Sequence, residues 1–141
     1  LRDNSLKIYV VCSLDAPVTE AVATLATHLK CTAGRPATSC SQDFNGDSSD
    51  FPAWEAQQVA EAAAVVVMCE KHVITESGYH PRLAAIKRQL AEKPGVRLIP
   101  VHLTPCEMRE SGLSQLQPAG RPHPQGDADW LAIARSIRMT F

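Results

Sequence analysis

Eight apolar residues run together at Ala62-Ala63-Ala64-Val65-Val66-Val67-Met68-Cys69, and no charge interrupts them. A continuous run with a β-branched triplet suits a strand buried on both faces, the setting of a central strand in a parallel sheet. Leu6-Lys7-Ile8-Tyr9-Val10-Val11-Cys12 is a second β-rich run. It ends in Ser13-Leu14-Asp15-Ala16-Pro17, where Ser or Asp can cap a helix and Pro fits its first turn. Val18, Val22, Leu25 and Leu29 then recur at helical spacing, with Thr19, Glu20, Thr24 and His28 largely off that stripe. The pattern predicts strand one turning into helix one, which ends near Lys30.

Between Cys31 and Asp50 the periodicity weakens. Ala37-Thr38-Ser39-Cys40 predicts a short edge strand, and Asp43-Phe44-Asn45-Gly46-Asp47-Ser48-Ser49-Asp50 has the composition of a loop. Asp50 or Ser49 can cap the next helix, which has Pro52 and Glu55 in its first turn and runs through Trp54 and Val59 into the central strand. Glu70 to Gly78 reads as a loop. Pro81 opens a helix with Leu83, Ile86 and Leu90 facing inward and Arg82, Lys87 and Arg88 in water, stopped by Lys93-Pro94-Gly95. Val96 to Leu103 is the fourth strand, and Pro100 within it calls for a bulge or a place near the sheet edge. Thr104 to Gln125 holds at most a helical turn near Met108 to Leu116 and a degenerate fifth strand near Arg121 to His123. Asp127 then caps a helix whose Trp130, Ile133, Ala134 and Ile137 share a face.

Strand and helix alternate, which predicts an α/β fold: a parallel sheet of about five strands covered by helices on both faces. The 141 residues suit one domain over 1–141 with a single core, and Leu1 in place of Met points to excision from something longer. Charge changes the picture mainly by exclusion. Lys+Arg (14) and Asp+Glu (15) nearly cancel, which argues against a nucleic-acid partner, and no apolar run nears the ~20 residues of a membrane span. Five widely spaced cysteines, Cys12, Cys31, Cys40, Cys69 and Cys106, form no CxxC pair, so a reducing, cytoplasmic setting with mostly buried thiols is expected.

Ligands in such sheets bind beyond the C-terminal ends of the strands, an edge that carries Ser13-Leu14-Asp15, Glu70-Lys71-His72 and Thr104-Pro105-Cys106. The turn after the first strand has no glycine, and neither GxGxxG, GxxxxGK[ST] nor GxSxG occurs. Dinucleotide-binding, P-loop and α/β-hydrolase readings fall. Cys12 and Cys69, with Cys106 and His102, offer a metal or redox reading; thiols filling gaps between sheet and helices are the plainer one. The histidines His28, His72, His80, His102 and His123 are scattered. Two surfaces remain: the loop from Asp43 to Asp50, edged by Phe44, Phe51 and Trp54, and the cationic helix face of Arg82, Lys87, Arg88 and Lys93.

The order of features resembles the Toll/interleukin-1 receptor fold, and more closely its SEFIR branch, found in interleukin-17 receptors and their cytosolic adaptor. Lys7-Ile8-Tyr9-Val10-Val11-Cys12-Ser13-Leu14-Asp15 resembles the first family box, with Cys12 where Tyr is usual. Trp54 through Cys69 resembles the second, a Trp-containing helix followed by a strand, here ending Met68-Cys69-Glu70. Leu98-Ile99-Pro100-Val101 is similar to the family's fourth strand. The Toll-type Arg-Asp-x-x-Pro-Gly loop is missing, which favours SEFIR.

The resemblance implies a flavodoxin-like, non-enzymatic signalling module without a cofactor. Its partners would be related SEFIR or Toll-like domains of immune receptors or adaptors, with weak homo-oligomerisation and no insertion into the membrane. Asp43, Phe44, Asn45, Asp47, Arg82, Lys87 and Arg88 are the expected interaction residues. The alternative is hydrolysis of NAD, as in Toll relatives whose helix after strand three carries Trp-Cys-x-x-Glu. Here Tyr79-His80-Pro81-Arg82-Leu83 puts Leu83 at the Glu position, which leaves only Glu70 or Glu76 as a carboxylate.

Overall fold

The computed structural model describes residues 7–12, 19–30, 37–69, 79–92, 96–102 and 126–139. In chain order the elements are β1 (Lys7–Val11), α1 (Thr19–Lys30), β2 (Ala37–Cys40), two 3-10 turns (Ser41–Asp43 and Ser48–Asp50), α2 (Phe51–Glu61), β3 (Ala64–Cys69), α3 (Tyr79–Ala91), β4 (Arg97–His102) and α4 (Asp127–Arg138). The strands form a parallel sheet in the order β2-β1-β3-β4. Strand order reverses at β1 and β3, a flavodoxin-like arrangement with its switch point between them.

The valine triplet sits at the centre of this sheet. Val65 lies between Tyr9 and Leu98, Val66 between Val10 and Ile99, and Val67 between Val11 and Pro100. Successive strand side chains point to opposite faces. Val66 therefore joins Ile8, Val10, Leu25, Leu29, Ile133 and Ile137 in the core under α1 and α4, while Val65 and Val67 join Tyr9, Val59, Leu83 and Ile86 under α2 and α3. All three valines have no exposed surface, and each such burial contributes about 1.5–3 kcal/mol. The expected single core is thus two half-cores split by the sheet.

Residues 37–40 form the edge strand expected there, and among the described residues β4, with Pro100 in it, is the opposite edge. Helix α2 starts where the sequence reading puts it but without the expected cap bond, and two other helix starts differ. Asp50 stands at the N-cap of α2 with helical backbone angles and no side-chain cap bond, because a 3-10 turn leads directly into the helix. Gly126 (φ 129°), not Asp127, precedes α4; Asp127 is the first helical residue and meets the helix's positive end with Asp129. Helix α3 begins at Tyr79, two residues before Pro81, so the proline falls in the first turn, where its missing N–H breaks no bond. The predicted helix start at 13–17, the loop at 70–78, the turn near 108–116 and the fifth strand near 121–123 lie outside the described residues. Among the described residues no helix is long and apolar enough to cross a membrane.

Candidate functional site

In α2, Phe51, Glu55 and Val59 recur every four residues and so share one stripe, and all three are buried. A carboxylate on that stripe needs partners, and α3 supplies the first. Arg82 grips Glu55 fork to fork, Nε donating to Oε1 at 3.2 Å and Nη2 to Oε2 at 2.8 Å. The two side chains are only 13% and 6% exposed. Tyr9 donates its hydroxyl to Glu55 Oε2 at 2.6 Å. Arg82 Nη2 also donates to Ser41 Oγ at 3.0 Å, and both terminal nitrogens approach the Cys12 carbonyl at 3.5 Å. Ser41 Oγ in turn accepts the Cys12 N–H at 3.1 Å and lies 3.1 Å from the Tyr9 hydroxyl. With the Tyr9 proton committed to Glu55, Ser41 is the donor in that last pair.

Burial pushes the Tyr9 phenol far above the ordinary tyrosine range, and the charge of Glu55 and the hydrogen bond to it push the same way; Ser41 and Arg82 pull weakly against them. The phenol is a fixed donor at any physiological pH. The four side chains therefore knot together β1, the residue after β2, α2 and α3, just below the switch point. Sequence reasoning placed Arg82 in water. The structure turns it inward, because the buried Glu55 leaves a charge that only a guanidinium fork matches in geometry. Tyr9, Ser41 and Glu55 were not among the expected site residues; the four-residue recurrence of Phe51, Glu55 and Val59 was the signal that marked Glu55.

The second surface is also more structured than its composition implies. Asp43 accepts the Cys40 N–H through Oδ2 at 2.8 Å and stands 3.6 Å from the Cys40 sulfur. Phe44 meets Phe51 edge to face at 5.3 Å and Trp54 at 5.3 Å, and Trp54 meets Tyr9 edge to face at 6.0 Å. Arg82 Cζ sits 5.0 Å above the Phe51 ring, which joins this aromatic cluster to the ion pair. Phe51 is buried, and Phe44 and Trp54 are half-buried, so the aromatics are packing more than exposed edge. Asn45 and Asp47 are exposed, and the Asp47 carbonyl accepts the Asp50 N–H at 2.9 Å.

The cationic face divides. At ~100° per residue Lys87 and Arg88 lie roughly 140° and 240° around α3 from Arg82. Lys87 is half-buried and Arg88 exposed. The structure brings Phe44 and Arg82 together through Phe51, ties Asp43 to Cys40 beside them, and leaves Arg88 on a separate outer face. Between α2 and α3 runs a groove of about 200 Å³ lined by Phe51, Pro52, Glu55, Ala56, Arg82, Ala85, Ile86 and Gln89. Gln89 spans it, donating to the Ala56 carbonyl at 2.8 Å.

Cys12 and Cys40 are buried thiols, as expected. Among the described residues no group of three or more His, Cys, Asp or Glu is placed to hold a metal ion. Leu83 is core, 2% exposed. Glu70, Glu76 and Cys106 lie outside the described residues, as does the side chain of Cys69. No family model matches this chain, and no curated protein matches it.

Proposed function

We propose that this domain is a protein-interaction module of the SEFIR, Toll/interleukin-1 receptor-like kind, joining related domains on receptors or adaptors. The observation that carries the reading is the anchoring of the segment from Ser41 to Asp50. Asp43 ties it to the end of β2 and Phe44 plugs it onto α2, so Asn45, Gly46 and Asp47 are held in solvent on a fixed backbone. A mere connection needs no such anchors, whereas a recognition loop gains affinity from being ordered before it binds. Arg88, exposed on α3, offers a cationic contact of the opposite sign to Asp47. Single contacts of this size are weak, and clustering of linked copies raises their effective concentration.

Sedimentation and pull-down with purified SEFIR or Toll-like domains test this. Asp47→Lys and Arg88→Glu both lie on the surface, leave the buried network intact, and should each weaken complex formation. Unchanged binding in both variants defeats the site assignment. Release of nicotinamide from NAD by the same preparation would instead support the hydrolase alternative.

A further inference from the structure

The groove between α2 and α3 has a chemistry that the interaction reading does not use. We infer that it is a binding site for a small uncharged aromatic molecule of one or two rings carrying one N–H or O–H donor.

Size sets the first limit. An engineered apolar protein cavity of about 150 Å³ stays dry and takes up benzene. The groove's volume of about 200 Å³ admits something slightly larger. Its lining sets the second: Phe51, Pro52, Ala56, Ala85 and Ile86 are apolar, with Glu55, Arg82 and Gln89 as the polar members. Binding pockets typically combine such walls with a few fixed polar groups.

Charge and hydrogen bonding then narrow the ligand. Glu55 and Arg82 neutralise each other, so a charged guest would lose hydration and gain no unmatched counter-charge. The two oxygens of Glu55 are unequally used. Oε2 lies within hydrogen-bond distance of Tyr9, Arg82 and Ser41, whereas among the described residues Oε1 accepts only the Arg82 Nε–H, at 3.2 Å. A carboxylate oxygen takes two bonds, and this one belongs to a residue 5% exposed that lines the groove. A guest donor fits that vacancy. Gln89, bridged to the Ala56 carbonyl across the opening, is the side chain that would swing aside to admit it.

Titrating the ¹⁵N-labelled domain with indole and, separately, with 1-methylindole tests the assignment, since the two differ in the donor. Indole should give saturable amide shifts confined to residues 51–56 and 82–89. 1-Methylindole should bind about tenfold or more weakly, the worth of a hydrogen bond to a buried charged acceptor. Ala56→Leu and Ala85→Leu each fill the groove from an exposed wall position and should abolish the shifts. Absent or non-saturating shifts, shifts centred elsewhere, equal affinity for the two indoles, or full binding by both folded variants would overturn the inference.

Discussion

Arg82 and Glu55 stand 27 residues apart in sequence and 2.8 Å apart in space, a buried ion pair whose acceptor is shared with Tyr9. Taking both charges out of water costs several kcal/mol, which their attraction only roughly offsets, so the pair contributes more to geometry than to net stability. Removing one partner is another matter. Arg82→Met strands the Glu55 carboxylate against Tyr9 and is expected to cost about 3–5 kcal/mol in urea denaturation. The double variant Glu55→Gln with Arg82→Met leaves no charge behind and should recover more than half of that loss. Additive losses in the double-mutant cycle would mean that the two side chains are not coupled.

Alkaline titration reads the same network through Tyr9. Its pKa is raised in the folded state, so the folded protein holds this proton where the unfolded chain releases it. The contribution is fully present below the ordinary tyrosine pKa of about 10 and is lost as pH rises above it. Absorbance near 295 nm should therefore show Tyr9 ionising only together with unfolding, as followed by circular dichroism. Tyr9→Phe should remove that coupled step. Ionisation of Tyr9 at about pH 10 with the fold intact would contradict the geometry described above.

Much of the fold was legible because local pattern and final environment agree. Val65-Val66-Val67 is apolar at every position, and only a strand covered on both faces buries all three. In the same way Val22, Leu25 and Leu29 on α1, and Trp130, Ile133 and Ile137 on α4, mark the faces that meet in one half-core. The site was legible only in part. Arg82 is a polar residue on an amphipathic helix, which local pattern assigns to water, and for Glu55 the stripe it shares with Phe51 and Val59 marks its burial without naming its partner. Their burial depends on a pairing across 27 positions, which no helical window contains. Cap residues misled for a related reason: Asp50 and Asp127 lie where caps are common, yet a 3-10 turn and Gly126 do the work of turning the chain.

The anchored loop supplies the sharpest separation between packing and recognition. Phe44 holds two ring contacts at 5.3 Å, each worth about 0.5–1.5 kcal/mol beyond its buried area. Phe44→Ala is thus expected to cost about 2 kcal/mol, with a changed Trp54 contribution to near-ultraviolet circular dichroism. Gly46 stands close to the same ring: a Cβ added there would stand 3.1 Å from Phe44 Cζ. Gly46→Ala should displace the ring tip and cost under about 1 kcal/mol, since a side-chain end can yield where backbone cannot. Asn45→Ala and Asp47→Ala, whose side chains are in solvent, should stay within about 0.5 kcal/mol of the parent in thermal unfolding. A neutral Phe44→Ala would mean that the loop is not pinned to α2, and a costly Asp47→Ala that its exposed carboxylate is structural.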